Sequence, residues 1–132
     1  MGQVVGLAEV VLNVRNLDAS LGFYRDLIGL EVIGTPPGKP APVFLKAGEA
    51  QVGIPQMVVL VPLSQEGQFT APRTLHHLAL EVPEERFGHE KTRLENAGFE
   101  VRTGEHPVIR SWTLYVDDPD GNEVELIARR TE

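Results

Sequence analysis

One order of elements is written twice along this chain, and that repeat limits the folds open to it. Residues 4–14 alternate in polarity, with Ala8, Val10, Leu12 and Val14 on one face and Leu7, Glu9, Val11 and Asn13 on the other. Such alternation predicts a strand. Asp18 stands where an N-cap belongs, ahead of Leu21, Tyr24, Leu27 and Ile28 at helical spacing, and Gly29 follows as the stop. Residues 30–33 read as a short strand, Pro36, Pro37, Pro40 and Pro42 mark a loop, and residues 43–45 and 57–61 resume strand character. Residues 64–73 have no periodicity and read as a connector. The order then returns. Residues 75–82 form a strand, and Pro83, Glu84 and Glu85 open a helix with a proline and acids in its first turn. Phe87, Leu94 and Ala97 mark the buried side of that helix, Gly98 stops it, and strands follow at 99–101, 112–116 and 123–128. Gly29-Leu30-Glu31-Val32 answers Gly98-Phe99-Glu100-Val101, and Leu12-Asn13-Val14 answers Leu80-Glu81-Val82. The expectation is an α+β fold of two paired βαβββ modules with one core in a single domain, residues 1–132. Module one covers about 4–62, the connector about 63–73 and module two about 74–129.

Composition narrows the partners. A chain of 132 residues is the usual size of one domain and long enough to bury a core. Nineteen acidic residues against 12 basic ones give a net charge of -7, which argues against a nucleic-acid or anionic-membrane surface. There is no cysteine, so disulfides, thiolate metal sites and cysteine nucleophiles are excluded. No apolar run approaches the roughly 20 residues of a membrane span, and no signal-peptide pattern opens the sequence. A cytoplasmic chain is expected.

Glu125 is the anomaly in the closing hairpin. It lies near the middle of a strand, between Val124 and Leu126. If its face is buried, an ionised carboxylate there needs a charged partner, such as Arg110, or a metal. Matching the repeats sets Glu9 on the position of His77, each five residues before the closing valine of its strand. The apolar faces of both strands should pack on the helices, so Glu9, His77 and Glu125 project together to the other side of the sheet. Oxygen and imidazole donors of this kind suit Fe(II), Mn(II), Ni(II) or Zn(II). The repeat answers Glu125 with Val59, which cannot ligate; a slip of three residues would instead bring in Gln56 as a fourth ligand. His76 alternates to the opposite face and reads as peripheral, and His89 falls on the polar side of the second helix.

Two motifs resemble the vicinal oxygen chelate superfamily, which includes glyoxalase I, bleomycin and fosfomycin resistance proteins and extradiol dioxygenases. Val11-Leu12-Asn13-Val14 through Gly22-Phe23-Tyr24-Arg25-Asp26-Leu27-Ile28-Gly29-Leu30 resembles its first strand and helix, and Asp118-Pro119-Asp120-Gly121-Asn122 followed by Glu125 resembles its closing hairpin. The resemblance implies a glyoxalase-like fold whose paired modules curve into a cup-shaped mixed sheet around a divalent metal, commonly in a homodimer. It implies ligands at His77 and Glu125, while the first-strand ligand, most often His in the family, is here Glu9. Extradiol members also carry a His, a spacer, an apolar residue, Tyr, two residues, Asp-Pro, Gly and the ligand Glu. His106, Leu114, Tyr115, Asp118-Pro119, Gly121 and Glu125 follow that order, with Gly104 one residue nearer the His than the pattern has it. Tyr115 and His106 are thereby implied as catalytic residues that hydrogen-bond the substrate or shuttle its proton.

The resulting expectation is a small metal-dependent enzyme whose small-molecule substrate chelates the ion through adjacent oxygens. Extradiol-dioxygenase-like chemistry ranks first and glyoxalase-I-like isomerisation second. A metal-free binding protein, like the bleomycin-resistance members, is the rival from another class.

Overall fold

The computed structural model describes residues 2, 5–37, 41–51, 53–63 and 75–131. Nearly all of the expected connector, residues 64–73, lies outside the described residues. The chain divides into two units, Met1–Thr70 and Ala71–Glu132. Each unit holds a four-stranded mixed sheet and one helical segment, so the chain is α+β and built of two βαβββ modules.

In the first unit, β1 (Glu9–Val14) leads into helix α1 (Leu17–Leu21), and β2 (Glu31–Gly34), β3 (Val43–Gly48) and β4 (Gln56–Pro62) follow. The sheet order is β1-β4-β3-β2, with β1 parallel to β4 and the other pairs antiparallel. Leu12 and Val14 are buried on β1 while Glu9, Val11 and Asn13 are exposed, as the alternation predicts. The helix cap differs from the prediction. Asn16, in extended backbone, accepts the Ala19 N–H on Oδ1 at 2.9 Å, and Asp18 sits inside the first turn. Both positions suit their residues, since a cap needs an acceptor and a first turn favours an acid.

The helix also changes pitch. Leu17–Leu21 is α-helical, but Gly22–Leu27 is π-helical, and Ile28 N–H donates to Phe23 O, five residues back, at 2.8 Å. The wider turn rotates the buried face. Phe23 and Tyr24 therefore both point inward, 3% and 0% exposed, with their rings edge to face at 4.9 Å. Leu21, Leu27 and Ile28, expected as the apolar stripe with Tyr24, are only half-buried.

The second unit repeats the plan with β5 (Leu78–Glu81), a 3-10 turn (Glu84–Arg86) running into α2 (Phe87–Asn96), then β6 (Arg102–Gly104), β7 (Ser111–Asp117) and β8 (Glu123–Arg129). Its order is β5-β8-β7-β6, again with the first strand parallel to the last. Phe87 and Leu94 are buried on α2, but Ala97, expected with them, is exposed, because it is the C-cap and the chain turns away at Gly98 (φ 91). Gly29 (φ 95) follows the helical segment of the first unit in the same left-handed conformation, which only glycine adopts without strain.

The strand registers agree with the repeat. In the first unit Val11 faces Val59, and in the second Ala79 faces Glu125. With Glu9 and His77 each two residues earlier on their strands' approach, Val59 is the counterpart of Glu125, and the slipped register that would favour Gln56 is not adopted. The predicted strand at 75–82 is shorter than expected. Residues 75–77 precede the ladder, so nothing fixes the alternation of His76 and His77. No helix among the described residues is long and apolar enough to cross a membrane.

Candidate metal centre

The closing hairpin positions Glu125. Asp118 Oδ1 accepts the backbone N–H groups of Asp120 at 2.9 Å and Asn122 at 2.7 Å, and Oδ2 accepts Asn122 Nδ2 at 3.0 Å. Gly121 supplies the positive φ of 82° that the turn requires. This turn fixes the ladder that follows, in which Asp117 faces Glu123, Val116 faces Val124 and Tyr115 faces Glu125. β8 lies between β5 and β7 in the sheet, its middle residues Val124, Glu125 and Leu126 are all buried, and Glu125 is only 3% exposed.

A carboxylate so deeply buried is costly unless its charge and its oxygens are met. One oxygen is met: Oε1 lies 3.1 Å from His77 Nε2. The other, Oε2, is fully enclosed and has no hydrogen-bond partner among the described residues. Arg110, the cation that offered an alternative partner, is exposed in the loop before β7, and the residue beside Glu125 is His77 instead. Two donors bound to one ion at about 2.1 Å each stand roughly 3 Å apart at angles near 90–110°. The Nε2–Oε1 separation matches that spacing, and the orphaned oxygen gives a cation a further reason to bind. The residues present therefore fit a divalent ion.

His77, about one-third exposed at 35%, also has a second neighbour. Its Nδ1 lies 2.8 Å from His76 Nδ1, with the rings edge to face at 5.0 Å. His76 is thus not turned to the opposite face, contrary to the expectation from alternation, because both residues precede the paired part of β5. Donor atoms of His76, His77 and Glu123 lie within 4.8 Å of one another. Glu123 is already engaged: its Oε2 accepts Arg102 Nη2 at 3.0 Å, and the same nitrogen donates to Asp117 Oδ1 at 2.8 Å. The hydrogen bond to Asp117, with that to Glu123 adding to it, raises the Arg102 guanidinium above its usual value.

Tyr115 is half-buried, opposite Glu125, with its ring edge-on to His77 at 6.2 Å. A Cβ on Gly104 would stand 3.2 Å from Tyr115 Cε2, so the small residue there makes room for the ring. His106 is in the loop between β6 and β7, and its Nδ1 accepts the N–H groups of Val108 at 3.1 Å and Ile109 at 2.9 Å. Nδ1 is thereby occupied in shaping the loop, which leaves Nε2 as the proton-carrying nitrogen. Glu9 belongs to the first unit, exposed at the start of β1 and opposite Met57. Gln56 opens β4, with its side chain beside Gly48. His89 is exposed on α2. A separate cleft of about 610 Å³ in the second unit is lined by Phe87, Lys91, Thr103, Trp112 and Arg130 among others, and by none of the metal candidates.

His76, Glu123 and Arg102 were not among the expected site residues. The histidine doublet and the two-residue spacing of Glu123 and Glu125 were visible signals for the first two. Arg102 had none, since its partners come from across the sheet.

A family model described as "Glyoxalase/Bleomycin resistance protein/Dioxygenase superfamily" matches residues 6–126. Over 135 aligned residues the chain is 33% identical to a catechol-2,3-dioxygenase of Bacillus subtilis (strain 168), covering 96% of this chain and 41% of that protein. The chain therefore spans less than half the length of that relative. Among solved structures, a lactoylglutathione lyase from Agrobacterium tumefaciens is 28% identical with a TM-score of 0.68, covering 96% of this chain and 95% of the other. A mutant fosfomycin resistance protein, FosX, from Listeria monocytogenes, in complex with Mn(II) and 1S,2S-dihydroxypropylphosphonic acid, has a TM-score of 0.72. It is 19% identical, with 98% of this chain and 95% of that chain covered, and is a likeness of fold.

Proposed function

This chain belongs to the glyoxalase/bleomycin resistance protein/dioxygenase superfamily, and we propose that it is a divalent-metal-dependent enzyme acting on a small molecule with adjacent oxygens. The observation that carries the reading is Glu125, buried at 3% exposure with one oxygen against His77 Nε2 and the other without a partner. His77 and Glu125 are the proposed ligands. Glu9 is a further proposed ligand on the strength of its match to His77 in the repeat. When bound, the ion, one of Fe(II), Mn(II), Ni(II) or Zn(II), supplies Lewis acidity and a template for two neighbouring substrate oxygens.

The residues around it have separable tasks. Burial keeps water from Glu125, and His77 holds its nitrogen against the same carboxylate. Tyr115, opposite Glu125 in the ladder, is the proposed residue to hydrogen-bond a substrate oxygen through its hydroxyl. His106, with Nδ1 engaged by the loop, has Nε2–H available to give and take back a proton. Extradiol-type cleavage of a catechol by dioxygen is the favoured reaction, supported by the His106 and Tyr115 spacing and by the similarity to a catechol-2,3-dioxygenase. Glyoxalase-type isomerisation is the second reading, supported by the similarity to a lactoylglutathione lyase. A homodimer in the cytoplasm completes the proposal, on the family resemblance and the composition.

The test is metal analysis of protein purified without chelators, followed by titration with Fe(II), Mn(II), Ni(II) and Zn(II). About one ion per site should be retained, and His77→Ala and Glu125→Gln should each abolish it. Protein that takes up none of these ions would refute the enzyme reading and favour a metal-free binding protein. Oxygen uptake with catechols, against thioester formation from methylglyoxal and glutathione, then separates the two reactions.

A further inference from the structure

We infer that His76 is a positioning residue for this centre: its Nδ1 accepts the Nδ1–H of His77 and so holds the tautomer whose Nε2 is free to ligate. The inference rests on the metal-centre reading above and extends it to a residue outside the expected ligand set.

A neutral imidazole carries one N–H, so its two nitrogens cannot both donate or both accept. His77 faces a different partner with each: Glu125 Oε1 at 3.1 Å from Nε2, and His76 Nδ1 at 2.8 Å from Nδ1. If Nε2 is to offer its lone pair to a cation, the proton must sit on Nδ1 and needs an acceptor there. Ligating histidines are usually held in this way through the other ring nitrogen. Glu123 is also close, but its Oε2 already receives Arg102. His76 Nδ1 is the nitrogen in hydrogen-bond contact. It reaches that position because residues 75–77 precede the β5 ladder, where strand alternation would have sent neighbouring side chains to opposite faces.

The arrangement also accommodates both states of the site. Without an ion, His77 Nε2–H donates to Glu125 Oε1, and His77 Nδ1 accepts from His76 Nδ1–H. With an ion, His77 Nδ1–H donates to His76 Nδ1, and His76 carries its own proton on Nε2. His76 is exposed, so that proton comes from water. Each state has two N–H groups on two neutral rings: the proton that leaves His77 Nε2 is balanced by one gained at His76 Nε2. Between the two rings only the direction of the hydrogen bond reverses, and their contact persists.

The experiment is Zn(II) affinity, measured by competition with a chromophoric chelator, for the wild type and for His76→Ala, His76→Asn and His77→Ala. His76→Ala should weaken binding about 10- to 100-fold. His76→Asn, which keeps an acceptor oxygen near the place of Nδ1, should recover most of that loss. In the Zn(II)-loaded wild type, nitrogen-15 spectra should show His77 as the Nδ1–H tautomer with that proton hydrogen-bonded. His76 is exposed and outside the ladder, so the fold is not at stake in these variants. Unchanged affinity in His76→Ala, or no recovery in His76→Asn, would overturn the inference while leaving the centre intact. A loss as complete as that of His77→Ala would make His76 a ligand and overturn it equally. Failure of the wild type to bind Zn(II), or any of the other ions, would instead remove the centre itself.

Discussion

Glu125 puts a carboxylate at a position 3% exposed, where an apolar side chain would carry no desolvation cost. Among the described residues, His77 lies against its Oε1, and Oε2 has no partner. Replacing a buried charged group by a well-packed apolar residue of similar volume is often neutral or stabilising by about 1–4 kcal/mol. Glu125→Leu should therefore do two opposite things. It should abolish metal retention, and in metal-free protein it should raise stability by about 1 kcal/mol, a Tm increase of roughly 4 °C. Thermal melts with and without a chelator test both. A lower Tm in metal-free Glu125→Leu would mean that the carboxylate supports the fold, and its use as a ligand would lose its main physical argument.

At the level of elements, the hairpin turn and the two ends of the second unit each depend on one side chain. Asp118, 5% exposed, gathers three donors around one carboxylate and thereby sets the β7–β8 register. Asp118→Ala leaves those donors unmet and should cost roughly 3 kcal/mol; because register places Tyr115 opposite Glu125, metal affinity should fall as well. Urea unfolding and Zn(II) titration of the same variant measure the two effects. Glu84 does the corresponding work at the far end. It accepts the Thr131 hydroxyl at 2.8 Å and the Thr131 N–H at 3.1 Å, tying the segment after β8 to the turn that opens α2. The hydroxyl bond, then the backbone bond, lower its pKa from the ordinary 4.5. A depressed folded value means that the tether is fully present above 4.5 and is lost as pH falls through that lower value. The Thr131 amide shift, followed by NMR, should accordingly titrate with a midpoint below 4.5, and Glu84→Gln should erase the transition.

For the molecule as a whole, the repeat raises the question of which copy of the chain completes the site. His77 and Glu125 belong to the second unit and Glu9 to the first. If the proposed homodimer shares its ligands between copies, chains carrying Glu9→Gln and chains carrying Glu125→Gln should each fail to retain metal alone. Refolded together, they should recover part of the wild-type occupancy, because one site in each mixed dimer then has an intact set. Metal content of the mixture, with mass determination by sedimentation, decides it. No recovery from a mixed dimer would assign all the ligands of a site to one chain.

The sequence by itself determined the strand and helix order of both modules, the glycine stops at Gly29 and Gly98, and the turn at 118–122. These features are encoded by local periodicity and by residues with special backbone freedom. It also determined that Glu125 would be out of place in its strand, and the match of Glu9 to His77 followed from the repeat. It could not give the π-helical turn that brings Phe23 and Tyr24 inward together, since that depends on how the helix packs rather than on any local signal. Nor could it give the direction of His76, because alternation applies only where a ladder enforces it and the ladder begins at Leu78. Tertiary structure alone decided that Glu125 is enclosed, that one of its oxygens lies against His77 and that the other is left without a partner. Those facts depend on residues far apart in the chain, since the sheet sets β8 between β5 and β7 and so brings His77 and Tyr115 to Glu125.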